Sequence, residues 1–222
     1  MGAIDRSTRI EQAHQLSAMA RAPITSRVAE NMFWLGRYTE RAENSVRLAQ
    51  LSLRSLEGED LPTPELARWL AEMASRNGLL PDEAPNMRSG QLEQGLRVFE
   101  RTLVNALNEG EQGPSNCLAG MRNAMQAVRE RMSQEQWQLI AQTHDALRTG
   151  FAEAHTRLDD GGHSAAQSAM RVLADASAHL SAITGCQTDR MTRDSGWRLL
   201  FIGRLLERLS FLSQTLELAL AG

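Results

Sequence analysis

Trp34-Leu35-Gly36-Arg37-Tyr38-Thr39-Glu40-Arg41 returns 167 positions later as Phe201-Ile202-Gly203-Arg204-Leu205-Leu206-Glu207-Arg208. Gly, Arg, Glu and Arg are identical, and each Gly is preceded by an aromatic and then an aliphatic residue. With average residue usage and this much Arg, a four-residue coincidence somewhere in the chain has a chance on the order of one in a hundred. The matched flanks lower it further, and the pair reads as an internal duplication of one Gly-Arg-x-x-Glu-Arg helix.

Outward from the first copy, Val28, Met32, Leu35, Thr39, Ala42, Val46, Ala49 and Leu53 recur in steps of three and four. That period predicts a helix from a Thr25 or Ser26 cap to about Glu57, closed by Gly58. Thr63-Pro64 opens a second helix that closes at Asn77-Gly78. Residues 79–90 read as a loop, followed by a helix over about 91–108. Ser115 is expected to cap a helix to about Met132, and Ser133-Gln134-Glu135-Gln136 fits a capping box opening another to about Leu158. Asp159-Asp160-Gly161-Gly162 reads as a turn and Ser164 to Thr184 as helix, stopped by Gly185. Residues 186–192 read as a loop, and a last helix starts near Arg193. Residues 7–21 could add a short helix before Pro23. The expectation is an all-α, multi-helix bundle, with residues 1–23 an extension or linker and 24–222 one helical domain.

Composition agrees. Ala, Leu, Glu, Gln, Arg and Met are abundant, aromatics are 5% of the chain, and strand-type alternation is rare. The net charge of -3 excludes a strongly basic nucleic-acid binder. All 24 basic residues are Arg, which reads as composition bias and leaves no lysine for a Schiff base or a P-loop. No apolar run reaches membrane-spanning length, the first 23 residues lack a signal-peptide core, and Cys117 and Cys186 read as inert reduced thiols. A cytoplasmic location without membrane association is expected. His14, His144, His155, His163 and His179 lack metal-ligand spacing, and neither a metal nor another cofactor is expected.

At about 100° per residue, Glu30, Trp34, Arg37 and Arg41 share one stripe, opposite Val28, Met32 and Leu35. Trp197, Arg204, Arg208 and Phe211 form the matching stripe, and Ile202, Leu206, Leu209, Ser213, Leu216 and Leu220 are the expected core face. Gly36 and Gly203 cost about 1 kcal/mol each in mid-helix relative to Ala, which close approach of another backbone would justify. The two motif helices are therefore expected to pack together. Arg37 with Arg41, and Arg204 with Arg208, place like charges four residues apart, so something anionic should offset them. Two readings stay open. Glu30, Glu40, Glu43 and Glu207 cross-pair with the Arg residues in a structural lattice, or some guanidinium forks face a carboxylate or phosphate ligand. Glu30 is the best placed general acid or base.

These residues carry a resemblance. Ser26-Arg27-Val28-Ala29-Glu30-Asn31, continuing through Trp34-Leu35-Gly36-Arg37-Tyr38 to Glu40-Arg41-Ala42-Glu43, is similar to the opening signature of the alpha-E family. Arg193-Asp194-x-Gly196-Trp197 and Gly203-Arg204-x-x-Glu207-Arg208 resemble its second signature, with Leu209-Ser210 replacing the usual Ala-acidic pair. The resemblance implies association with a circularly permuted ATP-grasp ligase, fused or separate, and often with a transglutaminase-like protein, in systems that form amide or peptide bonds. It carries no established activity for the helical domain itself. A helical accessory domain binding substrate or partner is therefore expected, through Glu30, Trp34, Arg37, Glu40, Arg41, Glu43, Trp197, Arg204, Glu207 and Arg208. The alternatives are an enzyme of amide-bond chemistry at this Arg/Glu face, or a generic helical scaffold. Family domains usually continue beyond the second signature, so the chain is expected to be part of a longer unit, with a naturally shortened chain as the rival. In the first case Phe211, Leu218 and Leu220 should be partly exposed, or buried by self-association, whereas a shortened chain would have closed its core without them.

Overall fold

A computed structural model of the chain describes residues 24–57, 61–80, 87, 89–157 and 163–221. Helix α1 spans Ser26–Leu56, α2 Pro64–Arg76, α3 Leu92–Glu109 and α4 Pro114–Gln126. Helix α5 spans Gln134–Thr156, α6 His163–Asp189 and α7 Ser195–Ala221, with 3-10 turns at Ser89–Gln91 and Arg129–Arg131. Among the described residues there is no strand. The expected helix at 7–21 and the turn at 159–162 lie outside the described residues.

Local chemistry sets most boundaries. The Thr25 hydroxyl accepts from the Val28 amide at 3.3 Å, and Thr63 does the same for Leu66, so each satisfies one orphan N–H. Gly78 ends α2 at φ 64°, a conformation L residues with side chains rarely adopt. Ser133 and Gln136 form the expected capping box. Two expectations fail. Helix α4 starts one residue before Ser115, with Gly113 as its cap and Pro114 in the first turn, and it ends at Gln126 rather than near Met132. Helix α6 runs through Gly185 to Asp189. A mid-helix glycine costs only about 1 kcal/mol, and the burial of Ile183 and Gln187 on either side outweighs it.

Helix α1 is the hub. Its Met32, Leu35, Ala42, Val46, Ala49 and Leu53 are buried in one core with Leu70 and Met73 of α2, Phe99 and Leu103 of α3, Leu118 and Met121 of α4, Phe151 of α5 and Leu173 of α6. Helix α6 crosses α1 antiparallel, with Gln187 beside Thr39 and Thr184 beside Glu43. The chain then turns, held by an Arg131–Asp194 ion pair and by Asp194 accepting from the Trp197 amide at 3.0 Å. This sends α7 back parallel to α1, with Gly203 against Phe33 and Glu207 against Arg37 and Arg41.

The assignment of a core face to α7 is corrected. Ile202, Leu206, Leu209, Leu216 and Leu220 are exposed, and Leu200 is the only large apolar side chain of the helix that is fully buried. Helix α7 packs through the side bearing Gly203, Arg204 and Glu207, which faces α1. Phe211 and Leu218 on that side are half-buried against the core. The leucine-rich side points the other way.

An Arg–Glu core between two parallel helices

The site begins with two missing side chains. A Cβ added to Gly36 would lie 2.0 Å from the Leu200 carbonyl oxygen, and one added to Gly203 would lie 2.2 Å from that of Phe33. Each glycine therefore lets the partner backbone close in. At that separation side chains four residues further along reach across to the opposite helix.

Arg204 is 6% exposed and Glu40 fully buried. Arg204 donates to Glu40 Oε2 through Nε at 3.2 Å and Nη2 at 3.0 Å. Arg208 donates to the same carboxylate, Nε to Oε1 at 2.7 Å and Nη2 to Oε2 at 3.0 Å. Across the crossing, Arg37 donates through Nε to Glu207 Oε2 at 2.5 Å. Arg41 adds a two-pronged contact to Glu207 at 2.8 and 3.1 Å. A shift of 167 positions converts the Arg37–Glu207 and Arg41–Glu207 pairs into Glu40 with Arg204 and Arg208, so the contacts are reciprocal. Such forked, charge-assisted bonds are the strong class of hydrogen bond and fix both helices in register.

The two halves differ one turn further on. Beside Glu40, Glu43 accepts from Arg204 Nη2 at 3.5 Å, from Arg47 at 3.0 Å and from the Thr184 hydroxyl. Two motif guanidinium groups thus face two carboxylates. The corresponding position beside Glu207 is Ser210, which is exposed. There two guanidinium groups face one carboxylate, and Arg37 makes no other ion pair among the described residues. Its guanidinium lies 5.6 Å from the Trp34 ring centre and 5.9 Å from that of Phe33. Trp34 stacks obliquely on Tyr38 and is itself exposed. The Tyr38 ring in turn fills the space left by Gly120 of α4.

Burial raises the Glu207 proton affinity, but hydrogen bonds and charge from Arg41 and then Arg37 outweigh it and hold the carboxyl below its ordinary value of 4.5. Burial pushes the Cys117 thiol, close to Arg41, up to about 12, which fits the expected inert thiol. Asp194 is also held low: burial opposes this, but the Trp197 amide and Arg131 prevail.

Seven of the ten residues singled out from the sequence converge here: Arg37, Glu40, Arg41, Glu43, Arg204, Glu207 and Arg208. Trp34 borders the cluster through Arg37. Glu30 does not join it and is exposed near the start of α1. Trp197 serves the α6–α7 turn, donating its indole N–H to the Gln187 carbonyl at 3.0 Å and stacking on Phe201. Sequence reasoning missed Thr184 and Gln187. The latter is buried and donates to Thr39 at 3.0 Å. Both belong to a helix with no motif, and only the antiparallel register of α6 against α1 brings them in. The oxygens of Glu40, Glu43 and Glu207 all accept hydrogen bonds, so the capacity left over is that of donors, among them both terminal nitrogens of Arg37. A groove of about 800 Å³ lies elsewhere, between α2, α3 and the turn into α4.

A family model named Alpha-E, described as a predicted alpha-helical domain with a conserved ER motif, matches residues 24–222. An uncharacterized protein of Mycobacterium tuberculosis (strain ATCC 25618 / H37Rv) is 27% identical over 207 residues, 88% of this chain and 22% of that protein. An uncharacterized protein of Mycobacterium bovis (strain ATCC BAA-935 / AF2122/97) gives the same figures. The chain thus spans about a fifth of the length of these relatives. No solved structure matches it. Glu40-Arg41 and Glu207-Arg208 are Glu-Arg pairs that the fold joins across one interface.

Proposed function

The chain belongs to the Alpha-E family, and from that premise we propose that it is a helical accessory domain that holds a carboxylate-bearing substrate or partner segment for an ATP-grasp amide or peptide ligase. The observation that carries this reading is the imbalance at Glu207. Two guanidinium groups share one carboxylate, and the terminal nitrogens of Arg37 make no hydrogen bond among the described residues, beside exposed Trp34 and half-buried Tyr38. A planar fork beside a ring suits a peptide carboxylate whose side chain or backbone lies on Trp34. The engaged state of Glu40, Glu43 and Glu207 favours binding over general acid–base chemistry, because a proton shuttle needs an oxygen free to reach the substrate. The ligase, fused or separate, supplies ATP chemistry, and a transglutaminase-like protein is a further member of such a system. Cytoplasmic action fits an ATP-dependent partner.

The test is reconstitution with an ATP-grasp ligase encoded in the same genome, measuring ADP release with peptide acceptors. Arg37→Ala and Trp34→Ala should each lower the stimulation given by the chain at least tenfold. Their melting temperatures should fall little beside that of Arg204→Ala. If both variants stimulate like the wild type, or the chain never alters ligase turnover, the reading is wrong. Amide formation by the chain alone, abolished by Glu30→Gln, would replace it with the enzymatic alternative.

A further inference from the structure

Helix α7 carries a second pattern that the Arg–Glu core does not use. Ile202, Leu205, Leu209, Leu212 and Leu216 alternate steps of three and four, and Leu220 extends the series. That is a heptad seam over 202–216, about 21 Å long at 1.5 Å per residue, which Leu220 prolongs by one further step of four. It lies on the side of α7 away from α1, and the exposure of its members runs from 48% at Ile202 to 85% at Leu220. Leu206 widens it.

Three properties decide what covers it. The exposed surface of these side chains amounts to roughly 700 Å², above the largest apolar patch of a typical monomer and close to the share each partner gives to a standard interface. No charged side chain falls on the seam between Ile202 and Leu220. The neighbouring charges are already committed, Arg208 to Glu40, Glu207 to Arg37 and Arg41, and Glu217 to Arg76. A seam without charge meets an identical seam with no like-charge penalty, which is the condition for a self-complementary, two-fold contact. We propose that the occupant is a second copy of this chain, paired α7 against α7 through the seam. The proposal uses none of the residues of the carboxylate site and stands or falls apart from it.

The experiment is sedimentation velocity of the full chain across a hundredfold concentration range, up to tens of micromolar. The wild type should sediment at twice the chain mass and dissociate on dilution. Leu209→Arg combined with Leu216→Arg should sediment as a monomer with wild-type helical circular dichroism, since both positions are exposed in the single chain. Leu66→Arg, at an exposed leucine of α2 that is no member of the seam, should keep the dimer. A wild-type chain that stays monomeric at the highest concentration overturns the proposal, and its seam then serves another partner. So does a dimer that survives both α7 substitutions, or association that grows without limit instead of stopping at two.

Discussion

Glu40 and Glu207 hold equivalent places in the motif but different environments, and single substitutions should separate them. Glu40 is fully buried against Arg204, itself nearly so, and truncating one partner strands the other charge away from water. Arg204→Ala should therefore cost about 3–5 kcal/mol of unfolding free energy in urea titration. Arg37 is 26% exposed and shares Glu207 with Arg41, so its loss leaves the carboxylate paired and partly hydrated. Arg37→Ala should cost about 1 kcal/mol. Equal losses at the two sites would mean that the Glu207 half is as closed as the Glu40 half. Titration adds a second check. The folded-state proton affinity of Glu207 is depressed, so its contribution to stability is complete above the ordinary value of 4.5 and disappears as pH falls through the lower folded-state value. Urea midpoints of the wild type should drop across that acid window, and Glu207→Gln should be less stable at neutral pH but show a flatter acid limb. An unchanged slope would remove Glu207 from the acid response.

Between elements, the crossing of α1 and α7 rests on two absent methyl groups. Gly36→Ala and Gly203→Ala each gain about 1 kcal/mol of helix propensity. Each also drives a Cβ into a backbone carbonyl that has no rotamer to escape by. Overpacking of this kind costs about 1–3 kcal/mol or more, so both variants should be net destabilised, with a melting temperature several degrees lower. A rise in melting temperature would show that the helices can separate at no cost. This crossing was legible in the sequence because the motif supplied both halves of the contact: the glycines announced close approach, and the alternating Arg and Glu offered cross-pairing as one of two readings. Glu30 shares the stripe of Arg37 by helical arithmetic, yet it sits before the crossing and is exposed. Angular position on a helix does not say where along its length the partner lies. Gln187 and Thr184 were invisible because their role depends on the register of α6, which no local pattern encodes. The α7 leucines were recognised as apolar and assigned to the core, since periodicity shows which face is apolar but not whether anything covers it.

For the molecule as a whole, packing is lopsided, and local stability should follow. Helix α1 has α4, α6 and α7 around it and buries residues along its length from Met32 to Leu53. Helix α7 is held mainly on one side, and its strongest ties, Gly203, Arg204 and Glu207, all lie in its N-terminal half. Beyond Phe211 it depends on half-buried Leu218 and on an exposed Arg76–Glu217 pair at 3.1 Å, a class of ion pair worth little. Backbone amides open at free energies set by the contacts that must break. Amides in the middle of α1 should then exchange only through global unfolding, whereas those from about Leu212 to Leu220 should exchange through local fraying many times faster. Hydrogen exchange read by mass spectrometry at two protein concentrations tests this together with the seam. Pairing of α7 slows exchange across Leu205–Leu216 as concentration rises and leaves α1 unaffected, because it adds contacts to the outer side of α7 alone. Uniform protection along α7 that ignores concentration would contradict both the one-sided anchoring and the pairing. Fraying that ignores concentration would keep the anchoring and remove the second copy.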